Sequence, residues 1–283
     1  MGGKRGEDAR RLTLRDNRVT AQLQCGMPRI QLERSGPLAT VWLDRADKRN
    51  AMDGAMMTEL AAALDAIGGD RAVRVVVLRG RGAVFSSGID HALLVEVMGA
   101  TKQAPFLHLH HQLQDVLHRL GRLHQPVIAA LHGVCVGMAL ELALAADVRI
   151  ASPDCVLGLP EIAFGIVPDV GGTTRLVRAV GEPRARELIL TGRMVKAATA
   201  ERYGMIHEVT AELDARVAAK AALLGTHPPA ALGLAKQLSQ LSANPDSFRL
   251  EGIVQQALLG DPALAAQFPA ALAFIKAQLA APE

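Results

Sequence analysis

VGMALELALAA, at residues 136–146, decides how this sequence is interpreted. A helix over these residues is apolar on every face, which indicates burial inside the protein rather than a surface position. Glu141 is the one charged residue in it. Burying an ionised carboxylate costs several kcal/mol unless the group is paired or protonated. Because desolvation favours the neutral acid, we interpret Glu141 as a proton-transfer group, with a structural ion pair to an arginine as the alternative.

Two glycine-containing loops offer backbone amides for binding a negative charge. Gly133 and Gly137 precede the helix, whose first amides point outward without partners and whose dipole favours an anion. A second loop, FSSGID at residues 85–90, follows a β-branched run at residues 73–78 that is typical of a strand buried on both faces. If each loop supplies one N–H, the two form an oxyanion hole. An ordinary glycine-rich helix entry is the alternative for the first loop.

The remaining pattern predicts a mixed α/β fold with strands early and helices late in the chain. Strands are predicted at residues 30–34, 38–43, 73–78, 127–131, 148–151 and 155–158. Helices are predicted at residues 53–67 and 106–120, from Gly137 to about Asp147, and over most of the chain after Pro183. The early strands would form one layer, and the late helices would cover it.

Composition and charge narrow the functional classes. Half of the 283 residues are hydrophobic, which allows a large core, and the net charge is only +3. Residues 1–18 contain six basic and three acidic groups, so this segment, which we expect to be disordered, accounts for the whole excess. A body of balanced charge argues against nucleic acid as a partner, because phosphate binding needs a clustered basic face. No apolar run reaches about 20 residues and no signal peptide is evident, which argues against a membrane partner. The three cysteines show no paired pattern, which favours the reducing cytoplasm as the compartment.

Four motifs are similar to those of the crotonase (enoyl-CoA hydratase/isomerase) superfamily. They are DKRNAM at residues 47–52, FSSGID at residues 85–90, AALHGVCVGMALE at residues 129–141 and LPEIAFGIVPDVGG at residues 159–172. One such motif would be a weak signal, but all of them occur in the expected order and spacing. The chain therefore resembles crotonases over most of residues 28–280.

The resemblance implies a fold, an assembly and a ligand. The fold is an α/β spiral of ββα units with a C-terminal helical trimerisation region. The boundaries would be a disordered tail at residues 1–27, a spiral core at residues 28–215 and a helical oligomerisation region at residues 216–283. The expected assembly is a homotrimer or a dimer of trimers. The expected ligand is an acyl-CoA thioester, with no metal and no further cofactor because coenzyme A is part of the substrate.

The same resemblance implies binding roles for individual residues. The thioester carbonyl would lie between the backbone N–H groups of Ile89 and Met138. Further substrate or CoA contacts are expected from Lys48, Arg49, Asn50, Ala51, Ser87, Gly88, Asp90, Gly137, Phe274 and Lys276. Met138 departs from the family, which usually has glycine at this position, so its side chain is expected to reshape the acyl pocket.

The resemblance also implies a reaction. Glu141 and Glu161 stand where hydratases of the family have the two glutamates that bind water and add it across the 2,3 double bond of an enoyl-CoA. Asp169 leaves an alternative open, because some dienoyl-CoA isomerases of the family carry an aspartate eight residues after the second glutamate. A turn or helix-capping role is the structural alternative for Asp169. A non-catalytic trimeric scaffold is the remote alternative for the whole protein.

Two further features of the sequence are interpreted as structural. His108, His110, His111 and His118 share faces of a predicted helix, but no carboxylate or thiolate at ligand spacing completes a metal site. A solvated or pocket-lining face is therefore the preferred interpretation of these histidines. Cys135 is expected to pack as a small apolar residue rather than to act as a nucleophile.

Overall fold

The computed structural model of the protein describes residues 27–100 and 105–241, together with the isolated positions Ile253 and Gln255. The tail predicted at residues 1–27, apart from its last residue, lies outside the described residues. The same holds for Phe274, Lys276 and most of the helical region predicted beyond residue 241.

The strands in the described residues form two sheets. They are β1 (Ile30–Ser35), β2 (Leu38–Leu43), β3 (Val75–Gly80), β4 (Val127–Leu131), β5 (Val134–Val136), β6 (Val148–Ala151), β7 (Val156–Gly158), β8 (Val195–Lys196) and β9 (Glu208–Val209). The larger sheet has the order β1-β2-β3-β4-β6-β9; its first two strands form the predicted antiparallel hairpin, and the other pairs are parallel. The smaller sheet has the order β5-β7-β8.

Helices connect and cover these strands. They are α1 (Gly54–Gly68), α2 (His91–Ala100), α3 (Pro105–Arg122), α4 (Met138–Ala143), α5 (Gly172–Val180), α6 (Glu182–Thr191), α7 (Ala197–Tyr203), α8 (Leu213–Thr226) and α9 (Pro229–Gln240). Asp53 caps α1 as predicted, because its carboxylate accepts the N–H of Met56 at 2.9 Å. Within the described ranges, no helix combines the length and the apolar character that crossing a bilayer requires.

Two apolar clusters pack against opposite faces of the larger sheet. In β3, Val76 and Leu78 face the main cluster, whereas Val75 and Val77 face a smaller one that Val217 of α8 completes. This confirms the predicted burial on both faces, although the strand begins at Val75 and ends at Gly80 rather than spanning residues 73–78. The loops that follow β3 and β4 leave neighbouring parallel strands at the same edge, which brings their residues close together.

Helix α4 is shorter than the sequence predicts. It ends at Ala143 rather than near Asp147, and residues 144–147 form turns that lead directly into β6. The Asp147 carboxylate is tied to the sheet instead, because it accepts the N–H of Val127 at 2.7 Å and pairs with Lys236 at 2.8 Å. The apolar run that follows Glu141 is therefore buried partly as helix and partly as a tight connection to the sheet.

Candidate active site

The loop after β3 and the loop after β4 lie side by side. The amide of Phe85 donates to the carbonyl oxygen of His132 at 2.9 Å, and the amide of Ser86 donates to Val134 at 3.0 Å. A parallel bridge also joins Ser86 to Cys135, and Cys135 is fully buried, in keeping with its predicted packing role. The predicted pair of amide-donating loops is thus held together by main-chain hydrogen bonds, which define their relative position closely.

Glycines at two positions allow this close approach. Gly88 has φ +92°, and a β-carbon added to it would lie 2.6 Å from the carbonyl oxygen of Val136 and 3.4 Å from the amide nitrogen of Met138. Gly137 has φ +58° and immediately precedes α4. Since residues with a β-carbon rarely adopt such φ values, the sequence needs glycine at both positions. The Gly88 backbone therefore lies against the first amide of α4.

The amides of Ile89 and Met138 remain available at this junction. The backbone of Met52 binds the residues on both sides of Ile89. Its N–H donates to the carbonyl oxygen of Gly88 at 2.8 Å, and its carbonyl oxygen accepts the N–H of Asp90 at 2.9 Å. The N–H of Ile89 therefore points away from Met52. Among the residues that the structure describes, neither the Ile89 nor the Met138 amide donates a hydrogen bond. The Met138 side chain is buried in the main apolar cluster. Two unpaired donors from adjacent loops match what an oxyanion hole requires.

Glu141 lies one turn into α4 and is 2% exposed, which confirms its predicted burial. Its Oε1 accepts the N–H of Val170 at 3.1 Å and that of Gly172 at 2.8 Å. Within the described ranges its carboxyl group forms no direct ion pair, although Arg175 lies near enough to interact with it electrostatically. Burial, followed by the charge of Glu161, raises the pKa of Glu141 to about 8. The carboxyl group therefore holds its proton at neutral pH.

Glu161 begins a 3₁₀ turn, Glu161–Phe164, and lies beside the start of α4. Its Oε1 would be 3.2 Å from a β-carbon placed on Gly137. Its Oε2 is buried and has no hydrogen-bond partner among the described residues. Burial, with a further contribution from the charge of Asp169, raises the pKa of Glu161 to about 7. A buried acceptor without a partner next to an acid that holds its proton is suited to binding a water molecule or a substrate.

These raised pKa values predict that stability depends on pH. The pKa of Glu141 rises from 4.5 to about 8 on folding. As the pH increases through this range, the unfolded chain releases a proton that the folded protein retains, so the free energy of unfolding falls. We expect Glu141 to contribute a decrease on the order of 4 kcal/mol between about pH 4.5 and pH 8.

Urea unfolding of wild type and Glu141→Gln across this pH range measures the difference. The glutamine variant should show a flatter dependence, because it has no proton to release. Glu182→Gln is the control, since Glu182 is exposed on α6. Parallel curves for wild type and Glu141→Gln would contradict the raised pKa.

Asp169 differs from the two glutamates in its exposure to solvent. Its side chain is 45% exposed, and its Oδ2 lies 2.9 Å from Nε2 of His110 on α3. It does not cap α5, because the residue at the helix start is Gly171, which has no side-chain capping bond. Of the two structural roles predicted for Asp169, the turn is confirmed, because the residue lies in the turn before α5, and the helix cap is wrong. The sequence contained the histidines but no signal that one of them contacts Asp169, since 59 positions separate the pair.

Known proteins identify the family of this constellation. A family model for enoyl-CoA hydratase/isomerase matches residues 33–244. The chain belongs to this family, the crotonases. A probable enoyl-CoA hydratase of Mycobacterium bovis is 38% identical over 230 residues, which cover 79% of this chain and 80% of that protein.

Solved structures of similar proteins have the same fold as this chain. A "putative enoyl-CoA hydratase" from Thermobifida fusca in complex with CoA has a TM-score of 0.74 at 37% identity, covering 82% of this chain and 93% of that one. The corresponding complex with acetoacetyl-CoA has a TM-score of 0.71 at 38% identity, covering 82% and 95%. These likenesses establish the predicted crotonase fold for this chain.

The segment predicted to bind CoA in this crotonase divides into exposed and buried parts. Lys48 and Arg49 are exposed and free to meet a ligand. The carbonyl oxygen of Arg49 accepts the amide of Ser87 at 3.0 Å, which ties the segment to the loop at residues 85–90. The Ala51 carbonyl accepts from Arg45 at 3.0 Å. The segment is therefore anchored through its backbone and presents its cationic side chains outward.

Asn50 has a different role from the predicted contact with CoA. Its side chain is 0% exposed. Its Nδ2 donates to the carbonyl oxygens of Arg81 at 2.8 Å, Val84 at 2.9 Å and Phe85 at 3.1 Å, and its Oδ1 accepts the Arg45 amide at 2.9 Å. These bonds occupy its amide group, so the side chain cannot reach a ligand. Asn50 instead holds the backbone of residues 81–85, which leads into the loop at residues 85–90.

Asn50→Ala is expected to reduce the free energy of unfolding by about 2–4 kcal/mol, because it leaves buried carbonyl groups without a donor. Denaturant unfolding measures the loss. The neighbouring substitution Lys48→Ala, at an exposed position, should change stability by less than about 0.5 kcal/mol. Equal stabilities of Asn50→Ala and wild type would show that the buried network is not important.

Arg45 was not predicted from the sequence but joins the same loops. Its Nη1 lies 2.6 Å from Oδ2 of Asp90 and 3.4 Å from Oδ2 of Asp53, in addition to its bond to Ala51. The hydrogen bond from Arg45 lowers the pKa of Asp90. Asp90, expected to contact substrate, is thus engaged by Arg45, and its Oδ1 accepts the Ala92 amide at the start of α2. Both residues hold Ile89 in position.

Proposed function

We propose that this crotonase is an enoyl-CoA hydratase that adds water across the 2,3 double bond of an acyl-CoA thioester. One observation carries the proposal: Glu141 and Glu161, both with raised pKa values, stand beside the unpaired amides of two adjacent loops. The amides of Ile89 and Met138 would bind the thioester oxygen. The two carboxyl groups would then lie over the carbons that react.

The proton balance of hydration suits this pair of glutamates. One carboxylate accepts a proton from water while the water oxygen forms a bond to the β-carbon, and the π electrons move onto the thioester oxygen as an enolate. The amides of Ile89 and Met138 stabilise that enolate. The other carboxylic acid then gives its proton to the α-carbon, so that the pair holds one proton before and after the reaction.

The acyl-CoA substrate is supported by the complexes of the Thermobifida fusca relative with CoA and acetoacetyl-CoA. We propose that Lys48 and Arg49 contact the CoA portion, since they are exposed on the segment tied to Ser87. Gly88 and Gly137 would line the thioester through their backbone. Phe274 and Lys276 are proposed contacts outside the described residues.

Loss of the conjugated thioester absorbance of crotonyl-CoA tests the proposal directly. Wild type should consume crotonyl-CoA or a longer 2-enoyl-CoA and form the 3-hydroxyacyl-CoA, which chromatography identifies. A protein that hydrates none of these substrates is not a hydratase.

An enoyl- or dienoyl-CoA isomerase using Glu161 and Asp169 is the second candidate. It is favoured by the charge of Asp169, which acts on the pKa of Glu161. Conversion of 3,5-dienoyl-CoA without hydration of any 2-enoyl-CoA would establish this candidate instead. Binding without turnover of either substrate would point to the scaffold alternative.

The proposed assembly is a homotrimer or a dimer of trimers. Large apolar side chains are exposed on and after the 3₁₀ turn and at the end of α6, namely Ile162, Phe164, Val167, Leu190 and Met194. The 3₁₀ turn adjoins the end of α6, because Ile162 would lie 2.9 Å from a β-carbon on Gly192. Exposed apolar groups of this kind are typical of association surfaces. Light scattering should give a multiple of the 29.9 kDa chain mass, and a monomer would contradict the assembly.

A further inference from the structure

Helix α3 holds the turn that carries Asp169 by two contacts. Nε2 of His110 lies 2.9 Å from Oδ2 of Asp169, and the imidazole is only 16% exposed. One helical turn later, Nε2 of Gln114 donates to the main-chain carbonyl oxygen of Asp169 at 2.7 Å. The spacing of four residues places His110 and Gln114 on one face of the helix. Helix α3 therefore fixes both the side chain and the backbone of Asp169.

Asp169 is connected to both glutamates. The next residue, Val170, donates its N–H to Glu141 at 3.1 Å. Burial is the largest cause of the raised pKa values of Glu141 and Glu161, and the negative charge of Asp169 adds to the increase at both. If less of the Asp169 charge is offset by a neighbouring group, the pKa values of both Glu141 and Glu161 are therefore expected to rise.

Other charged groups surround this cluster. Arg175 interacts electrostatically with Glu141, and its Nη1 donates to the Val170 carbonyl at 3.0 Å. His118 lies further along α3, where burial and then Arg175 lower its pKa. His111 lies next to His110 with ring centroids 6.1 Å apart. Among these groups, His110 is the one in direct contact with the Asp169 carboxylate.

We infer that His110, supported by Gln114, is a positioning residue that offsets the charge of Asp169 beside Glu141 and Glu161. This inference rests on the proposed hydratase function and makes it more specific. Held by His110, the Asp169 carboxylate is fixed in place beside the two glutamates and does not itself exchange protons with the substrate. Proton exchange is left to the two glutamates, and His110 limits how strongly the charge of Asp169 favours their protonated forms.

The pH dependence of kcat for hydration tests this inference. His110→Ala leaves the charge of Asp169 without its partner, which disfavours the ionised glutamates, so both limbs of the profile should move to higher pH by about half to one unit. Asp169→Asn should move both limbs to lower pH. The double variant should resemble Asp169→Asn alone, because His110 acts through Asp169.

His111→Ala is the matched control, since His111 is exposed on the same helix and is outside the proposed machinery. Its profile should match that of wild type. An unchanged profile in His110→Ala would overturn the inference. The inference would also be overturned if His110→Ala shifted the kcat–pH profile upward as much in the Asp169→Asn background as in wild type, because such an effect would not depend on Asp169.

Nitrogen NMR of histidine-labelled protein separates this inference from the hydratase proposal. The Nε2 resonance of His110, assigned by its loss in His110→Ala, should move in Asp169→Asn while the His111 resonances stay in place. This readout requires no turnover, so it holds even if wild type hydrates no enoyl-CoA. An Nε2 resonance that Asp169→Asn leaves unchanged would overturn the pair.

Discussion

Glu141→Gln is expected to lower kcat for hydration of an enoyl-CoA by about 100- to 10,000-fold, the range for loss of a general acid or base. Glutamine retains an oxygen that can accept the N–H groups of Val170 and Gly172, so the fold around the site is preserved. What it lacks is a carboxyl proton to exchange. Initial rates of absorbance loss at saturating crotonyl-CoA measure the effect. KM should change little, because the proposed contacts to the thioester oxygen come from the amides of Ile89 and Met138, which this substitution leaves in place.

The control for this substitution is Glu182→Gln on α6, where Glu182 is exposed and pairs with Arg186. Removing an exposed pair of this kind has a small effect on stability, so its kcat should stay within about twofold of wild type. A Glu141→Gln variant that keeps more than about a tenth of wild-type kcat would show that Glu141 is a structural residue, since general acid–base catalysis is worth more than that.

Local patterns predicted the parts of the fold that depend on local physics. The hairpin at β1 and β2 and the two-sided burial of β3 follow from the alternation and continuity of apolar residues. Burial of Glu141 follows from the apolar residues on every side of it in the sequence. In each case the residues that decide the structure are neighbours in the chain.

Contacts between distant segments were beyond such patterns. Asn50 was assigned to the CoA contacts because its motif resembles the CoA-binding loop of the family, yet the partners of its side-chain amide are carbonyl groups 31 to 35 positions away. Arg45 pairs with Asp90 across 45 positions, and His110 with Asp169 across 59. The spacing of one segment contains no information about which side chain of another segment it will meet.

Helix ends were also hard to place. Helix α2 begins at His91, where the sequence had suggested only the end of a glycine-containing loop. Asp90 supplies the start signal, because its Oδ1 accepts the Ala92 amide. The same residue was assigned to the substrate from its motif. One carboxylate thus serves both the helix start and the ion pair with Arg45, and a motif alone cannot separate these roles.

Gly88→Ala is expected to have an effect on kcat almost as large as that of Glu141→Gln, about 100- to 1,000-fold, the usual cost of losing one oxyanion donor. The added methyl group would lie 2.6 Å from the Val136 carbonyl oxygen, and φ at this position is +92°. Since the obstructing atom belongs to the backbone, relief requires the two loops to separate. The Ile89 and Met138 amides, the proposed donors to one oxygen, would then move apart. Turnover of crotonyl-CoA measures the loss.

Gly36→Ala separates loop displacement from backbone strain. Gly36 also has a positive φ, +56°, but a β-carbon there would meet no atom within 4 Å. Gly36→Ala should therefore lower the free energy of unfolding by only about 1 kcal/mol, the strain of the left-handed conformation, and leave kcat unchanged. If Gly88→Ala lost stability but kept its kcat, the two amides would not be the donors that stabilise the enolate. If its kcat fell while Gly36→Ala stayed fully active, the loss would be due to the separation of the loops, which is what binding of a thioester oxygen between them requires.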